Sequence, residues 1–364
     1  MFTLVHAADL HLETTFTDVR GGAARRAALA DAFVRIVDLA RDRGADALTF
    51  GGDLYEAQRA GPQTARLLFE HFARFGKPIY IAPGNHDPYA ARSLYARDDL
   101  PANVRVFAEP DWSAFPLADD ITLYGFGHTP ADPPRPFAHA RFERPGTRIA
   151  LVHGSDEQRM PPNKRATAPF TIDEIVAAGA TLALAGHFHG GYVERSGATQ
   201  LAYPGSPEPI KFGERGNHGA LLVQIAGTQV TIEPIELART RLLDLSVDLS
   251  GAGSEHAIGL AVENALAGAG AGAHDFVRLR LGGVRERGTR LDRELLLERY
   301  GAGIGGLEVI DETTIADYAA LGDEPNVRGR AIADLLGQRA SGNPHAEAAL
   351  RAIVAAFDGT EIAP

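Results

Sequence analysis

Side chains that bind divalent cations recur along the first half of this chain, in five short motifs. They offer carboxylate, imidazole and amide donors but no thiolate, because the 364 residues include no cysteine. A mixed nitrogen and oxygen set of this kind suits Mn²⁺, Fe²⁺ or Zn²⁺ better than Ca²⁺. The candidate ligands, in chain order, are Asp9, His11, Asp53, Asn85, His153, His187 and His189.

This number of ligands predicts a site for two cations. Two cations about 3.5–4 Å apart need a bridging carboxylate. Asp53 is the natural bridge, because it follows a central strand and lies between the other motifs in the chain. Asn85 would add a neutral oxygen, which avoids an excess of negative charge. His86 is expected to point away from the cations, toward the substrate, because its neighbour Asn85 points to the metal.

The elements that must position these ligands are short apolar runs, one just before each motif. Their composition and length predict buried strands. In layered α/β proteins the ligand crevice lies at the carboxyl ends of the strands. We therefore expect the motifs to converge on one pocket. The predicted strands are residues 2–5, 47–50, 79–82, 149–152 and 181–185.

The pattern between these strands predicts a layered α/β domain. Helical periodicity over residues 23–43 and 62–75 separates the first three strands, which implies a parallel sheet with right-handed crossovers. Short strands without helices follow over residues 190–236 and indicate an antiparallel section. The combination predicts two sheets packed face to face, with helices outside.

A second, smaller region follows a boundary near Glu236–Arg241. Strand and helix signals alternate over residues 242–311, and residues 328–357 read as two helices broken at Ser341–Pro344. Each of these helices carries an apolar stripe at three- and four-residue spacing. The predicted domains are residues 1–238, 239–324 and 325–364.

Composition limits the functions open to the chain. A net charge of −11 argues against a protein that coats nucleic acid by bulk electrostatics, although a local basic groove remains compatible with it. No apolar stretch is long enough to span a membrane, and the N-terminus has no signal-peptide pattern. The absence of cysteine fits a reducing compartment. We expect a cytoplasmic protein without membrane attachment.

The order of the five motifs over residues 1–190 resembles the calcineurin-like metallophosphoesterase superfamily. A further segment, Tyr203–Pro209 with Phe212–Glu214 downstream, is similar to SbcD-type DNA repair nucleases and YhaO-like bacterial proteins. The resemblance implies an α/β fold: a four-layer α/β/β/α sandwich with a small α/β capping domain and a helical C-terminal tail.

The resemblance also implies roles for the candidate residues. His86 would stabilise the transition state or protonate the leaving oxygen, and the favoured cofactor is a pair of Mn²⁺ ions. One cation would be held by Asp9, His11, Asp53 and His189, and the other by Asp53, Asn85, His153 and His187.

The implied function is a two-metal DNA nuclease in double-strand-break repair or end processing. A small-molecule or cyclic phosphodiesterase or phosphatase on the same scaffold is the alternative, and the negative net charge favours it. A non-catalytic scaffold is disfavoured, because such proteins usually lose ligands and all seven are present here.

The implied partners are DNA and an SbcC-type SMC-like ATPase, which would dock on the C-terminal helices. A homodimer is left open. Glu56 stands where many relatives of this kind carry a histidine that positions DNA, so the balance of exo- and endonuclease activity is open too; the side chain could also be merely solvated.

Several other side chains are candidates for weaker reasons. Cationic residues on loops near the metal end could contact phosphate, and aromatic residues beside the ligands could stack on a base or pack in the core. His6, His128 and His218 have no ligand partner nearby and are predicted to be structural. The cationic candidates are Arg159, Lys164, Arg165, Lys211 and Arg215, and the aromatic ones are Tyr55, Tyr89 and Phe188.

Overall fold

The computed structural model describes residues 1–16, 22–131, 133–160, 165–285, 289–315 and 318–358. These residues form two compact units, which divide between Arg241 and Leu242. All candidate metal ligands lie in the first unit. Among the residues described, no helix is both long and apolar enough to cross a membrane.

The first sheet of this unit has six strands in the order β12-β11-β1-β2-β3-β4. Strands β1 to β4 run parallel, and β11 and β12 are antiparallel additions at one edge. Two helices form the crossovers between β1, β2 and β3, as the periodicity predicts. The bounds are β1 Phe2–Ala7, α1 Gly22–Asp42, β2 Ala47–Phe50, α2 Pro62–Phe75, β3 Ile79–Ile81, β4 Val104–Val106, β11 Gly219–Ala226 and β12 Gln229–Glu236.

The second sheet also has six strands, in the order β5-β6-β7-β8-β10-β9. Its four inner strands are parallel, and the two edge strands are antiparallel to their neighbours. One short helix, α3, packs on it. The bounds are β5 Trp112–Ala118, β6 Ile121–Phe126, β7 Thr147–His153, α3 Ile172–Ala178, β8 Leu182–Gly186, β9 Tyr192–Ser196 and β10 Thr199–Tyr203.

Side-chain alternation along the central strands produces the layers. In β1, Leu4 packs between the two sheets, whereas Val5 faces the helices α1 and α2. In β8, Leu184 packs between the sheets and Ala183 faces the layer that contains α3. Because successive residues of a strand point to opposite faces, each fully apolar strand contributes to two cores at once. This confirms the predicted four-layer α/β/β/α sandwich.

The antiparallel section predicted over residues 190–236 divides between the two sheets. Strands β11 and β12 extend the first sheet, whereas β9 and β10 extend the second, where β10 runs parallel to β8. The hairpin pattern is local and predicts the strands themselves, but partner choice depends on long-range packing that periodicity does not encode.

The second unit contains a three-stranded sheet, β13-β14-β16, with two helices, and this confirms a small α/β region. Three further helices, α6 to α8, bury a core of their own around Ile332 and Leu350. The bounds are β13 Arg241–Asp248, α4 Glu255–Gly268, β14 Asp275–Gly282, β15 Val284–Arg285, α5 Arg293–Gly301, β16 Gly306–Asp311, β17 Thr314–Ile315, α6 Tyr318–Gly322, α7 Val327–Ala340 and α8 Ala346–Asp358.

Candidate metal centre

The strands that precede the five motifs end at one place, although they belong to different sheets. Strands β1, β2 and β3 come from the first sheet and β7 and β8 from the second. The Asp53 carboxylate lies at the middle: its Oδ2 is 3.6 Å from His11 Nε2 and 3.4 Å from His153 Nε2. Ligand atoms lie within 4.8 Å of one another in three groups: Asp9 with His11 and His189, His11 with Asp53 and His86, and Asp9 with Asp53 and His153.

The backbone of this centre is held in conformations that L-residues rarely adopt. Asp9, His11 and Asp53 have φ values of 55°, 48° and 53°. Such left-handed residues persist only where the surroundings determine them, and they cluster at functional sites. Here the N–H groups of Asp9 and His11 donate to Gly52 O and Asp53 O at 3.0 and 2.9 Å, which ties the first two motifs together.

A glycine lets the third motif approach the bridging carboxylate. A Cβ atom at Gly84 would lie 2.2 Å from Asp53 Oδ1, so a larger residue would displace the carboxylate. Asp87 completes this junction. Its Oδ1 accepts the N–H groups of Asp53 at 3.0 Å and Gly84 at 2.7 Å, and its Oδ2 accepts that of Leu54 at 2.7 Å.

The imidazoles of His11 and His189 present lone pairs to the same point. Each Nδ1 lies beside a carboxylate, His11 with Glu56 at 2.9 Å and His189 with Glu214 at 2.6 Å. Because an ionised carboxylate can only accept, each Nδ1 carries a proton, and in the neutral imidazole each Nε2 is then an acceptor. The two Nε2 atoms are 3.2 Å apart. Two acceptors at this distance are explained by a cation that binds both.

His153 is oriented in the same way. Its Nδ1 donates to Gly51 O at 2.8 Å, so its Nε2 lone pair faces Asp53 Oδ2 and lies 3.0 Å from Asn85 Oδ1. His187 lies against this group, with its ring centroid 5.2 Å from that of His153. Its backbone N–H donates to both oxygens of Asp9, at 3.0 and 2.9 Å. The residues thus present an inward-facing donor set that fits divalent cations.

The electrostatics of the centre also fit cations. Burial raises the pKa of Asp9 to about 6, and burial together with the neighbouring Asp87 and Asp9 raises the pKa of Asp53 well above its usual value. Burial lowers the pKa of His11 and His187 to about 4. These imidazoles are therefore neutral at pH 7 and available as ligands, and bound cations would offset the charge of the buried carboxylates.

His86 differs from the ligands in its exposure. Its side chain is 43% exposed, whereas those of His11 and Asp53 are 5% and 3% exposed. The His86 backbone N–H donates to Asp53 Oδ1 at 2.8 Å, which fixes it beside the bridging carboxylate. Its Nδ1 lies 2.9 Å from Glu56 Oε2, so the exposed edge of the ring carries Nε2.

Glu56 is not a merely solvated side chain. Its Oε1 accepts from His11 Nδ1 and, at 3.0 Å, from Thr14 Oγ1, while its Oε2 accepts from His86 Nδ1. Burial alone would raise its pKa, but the hydrogen bonds from His11 and His86 outweigh that effect and hold the pKa below its usual value. Neither this role nor that of Glu214 was predicted, because sequence shows the carboxylates but not which imidazole each one faces.

The weaker candidates have different fates. Lys211 is exposed, and its charge opposes the carboxylates of Glu214 and Asp9, which raise the pKa of the His189 imidazole above its usual value despite burial. Arg165 and Arg215 are also exposed, and Lys164 lies outside the described residues. Arg159 forms an ion pair with Glu194, Nη2 to Oε2, at 3.1 Å.

The three aromatic candidates pack against the apolar cores, and Phe188 also contacts the ring of His187. Tyr55 is 1% exposed and its hydroxyl accepts the N–H of Leu94 at 3.0 Å, so stacking on a base is wrong for this residue. Tyr89 is half-buried against the core that α1 and α2 cover, and Phe188 is half-buried against the core that includes α3.

The three histidines predicted to be structural have structural hydrogen bonds. His6 joins the sheets through Thr49 Oγ1 at 3.0 Å and Ala185 O at 3.2 Å. His218 lies 3.0 Å from Ser206 O, and His128 Nδ1 lies 2.8 Å from Thr129 O.

Comparison with known proteins identifies relatives of this chain. The chain is 23% identical over 358 residues to the DNA double-strand break repair protein Mre11 of Aeropyrum pernix, covering 91% of this chain and 85% of that protein. It is 27% identical over 255 residues to the uncharacterized metallophosphoesterase YhaO of Bacillus subtilis, covering 64% of this chain. That alignment covers only 59% of YhaO.

The Mre11 protein of Methanopyrus kandleri is 26% identical over 283 residues, with 68% of this chain and 59% of that protein covered. A model of the calcineurin-like phosphoesterase family matches residues 2–191, which include every candidate ligand described above. With this match over more than half of its length, the chain belongs to the calcineurin-like phosphoesterase family, and it is a phosphoester hydrolase with a candidate metal centre.

Proposed function

We propose that the protein is a two-metal nuclease that hydrolyses phosphodiester bonds in DNA, in double-strand-break repair or end processing. The observation that carries the proposal is the inward-facing donor set around Asp53 with the exposed His86 beside it. The alignment with a repair protein over 91% of the chain supports DNA as the substrate.

The donor set favours Mn²⁺, with Fe²⁺ and Zn²⁺ as alternatives, because it combines imidazole with oxygen ligands. Such a pair of cations lowers the pKa of water and neutralises charge on a phosphate. With a proton on each ring nitrogen, His86 would donate from Nε2 to a phosphate oxygen or to the leaving oxygen, while its Nδ1 donates to Glu56. Lys211, whose charge acts on His189, would contact a flanking phosphate.

The C-terminal helices supply the proposed partner surface. They bury their own small core but leave Val327 76% and Phe357 50% exposed. Large apolar side chains at helix positions suit helix-in-groove recognition. We assign this surface to an SMC-like ATPase, which would add the positive surface that a chain of net charge −11 lacks for DNA. A homodimer is the alternative assembly, and a cytoplasmic location stays a prediction.

The second candidate function is hydrolysis of small or cyclic phosphodiesters at the same centre. The negative net charge favours it, because electrostatic attraction dominates non-specific DNA binding.

One assay separates the two functions. Purified protein with Mn²⁺ is given linear duplex, single-stranded and hairpin DNA, beside a chromogenic phosphodiester. The proposal predicts cleavage of DNA. Hydrolysis of the chromogenic substrate with all three DNA forms intact would assign the protein to small substrates instead.

A further inference from the structure

Arg159 lies at the end of a row of contacting rings that begins at the candidate metal centre. The ring of His187, a candidate ligand, is 5.5 Å from that of Phe188, which is 5.1 Å from Tyr203 and 6.4 Å from Tyr192. Tyr192 and Tyr203 are stacked at 4.9 Å with 24° between their planes. The guanidinium of Arg159 covers Tyr192 at 4.0 Å from the ring centroid.

Hydrogen bonds hold the side chains of both Arg159 and Tyr192 in place. Tyr192 donates its hydroxyl to Oδ2 of Asp156 at 3.0 Å, and Asp156 is 1% exposed. Arg159 donates from Nε and Nη2 to one oxygen of Glu194, at 3.3 and 3.1 Å. Two hydrogen bonds to Glu194 and the contact with Tyr192, both on strand β9, therefore fix the flat guanidinium of Arg159.

The charge of Arg159 is already balanced by carboxylates within the protein. Glu194 and Asp156 both lie within 4.0 Å of its nitrogens and carry more negative charge than one guanidinium can balance. A phosphate would have to compete with two carboxylates. The side chain is nevertheless 48% exposed, and one of its two faces lies on Tyr192. What Arg159 offers to a ligand is an exposed planar surface.

We propose that Arg159, supported by Tyr192, stacks on an unpaired base of the nucleic acid whose phosphodiester lies at the metal centre. Unpaired bases stack on guanidinium planes as well as on aromatic rings. A base inside a duplex presents no such face, so the substrate class is single-stranded nucleic acid or an unpaired end. This inference rests on the proposed function and names the form of DNA that the site accepts.

The test separates a planar contact from a charged one. Arg159→Ala and Arg159→Lys are compared on a single-stranded oligonucleotide, with Arg195→Ala as the control, because Arg195 is an exposed arginine on the opposite face of Glu194's strand. Both Arg159 variants should raise KM by about 5- to 100-fold, the loss expected for one stacked base. The KM of both Arg159 variants for the chromogenic phosphodiester should be unchanged. The KM of Arg195→Ala for the oligonucleotide should be unchanged too.

Removal of the base tests the same contact from the substrate side. Oligonucleotides that each lack one base near the scissile linkage should show one position at which KM rises for the wild type. At that position Arg159→Ala should show no further loss, because the contact is already gone. A stacked base is supported if the Arg159 variants lose affinity for the oligonucleotide, Arg195→Ala does not, and the abasic series has one sensitive position.

Three outcomes would overturn the inference alone: full activity of Arg159→Lys, an equal loss in Arg195→Ala, or an abasic series without a sensitive position. Failure of the wild type to cleave any oligonucleotide, while it hydrolyses the chromogenic substrate, would instead remove the proposed function and this inference with it.

Discussion

We propose that His86 acts on substrate without holding a cation, and this would separate its variant from those of the ligands. His86→Ala should keep both metals and the fold while kcat falls by about 10²- to 10⁴-fold, the range for loss of one acid–base or charge-stabilising group. Steady-state kinetics on the chromogenic substrate and metal analysis check this, with the exposed His139→Ala as control. Near-wild-type turnover would exclude His86 from the reaction, and loss of metal would make it a ligand.

Glu214 fixes the tautomer of His189, so its loss should weaken metal binding before it affects the fold. Partners of this kind contribute about 10- to 100-fold in metal affinity. We therefore expect Glu214→Gln to raise the Kd for Mn²⁺ by that factor, measured by calorimetry. Glu233→Gln, a change at a side chain 54% exposed, is the control. Equal affinity in the two variants would mean that Glu214 serves only the loop around Ile210, whose N–H it accepts.

Protons should compete with the cations. The pKa of Asp9 is raised to about 6, so below that pH the carboxyl is protonated and must release its proton to bind metal. The affinity for Mn²⁺ should fall by at least about tenfold per pH unit below pH 6, because Asp9 and Asp53, whose pKa is also raised, must both release protons to bind metal. Calorimetry across this range checks the slope, and an affinity that does not change with pH would contradict Asp9 as a ligand.

At this scale the sequence predicts which residues meet but not how they are held. The ligands are predictable because each follows a strand of recognisable apolar composition. The left-handed backbone of Asp9 and Asp53 is not, since residues other than glycine rarely adopt it without tertiary support. The partnership of Arg159 with Glu194 joins positions 35 residues apart, and no local pattern signals it.

At the scale of elements, strands and helices follow periodicity closely. The predicted helix over residues 62–75 matches α2, and the predicted strand over 47–50 matches β2. In the first unit, strands β4, β5 and β6 and helix α3 are not among the predicted elements. Strands β4 and β5 and helix α3 are short or partly exposed, so their apolar periodicity is weak, whereas β6 is fully buried. The sheet to which β9 and β10 belong is not predictable from the sequence, because each hairpin could pair with either sheet.

The three C-terminal helices form an element that should be separable from catalysis. Their buried residues, such as Leu321, Ile332 and Leu350, pack against one another. Deletion from Tyr318 onward removes this core completely, so we expect hydrolysis of the chromogenic substrate within about twofold of the full chain. Co-purification with an SMC-like ATPase should be lost. A truncated protein that unfolds would place these helices within the stable core, and one that still binds the ATPase would move the interface elsewhere.

At the scale of the whole molecule, two sheets of one sandwich supply the two halves of the metal centre. Neither sheet alone brings His11 and His153 to Asp53, so the centre depends on the face-to-face packing of both. The net charge of −11 belongs to this scale too. It explains why DNA recognition is proposed to depend on local contacts and a partner instead of on overall attraction.

The number of cations bound per chain tests the account most directly. Elemental analysis at saturating Mn²⁺ should give two per chain for the wild type, since six further candidate ligands surround the bridging carboxylate of Asp53. Asp53→Asn should lose most of both bound Mn²⁺ ions, while Asp119→Asn, a change at an exposed position, should still bind two. A wild-type protein that never exceeds one Mn²⁺ per chain would contradict the dinuclear centre on which the proposed chemistry depends.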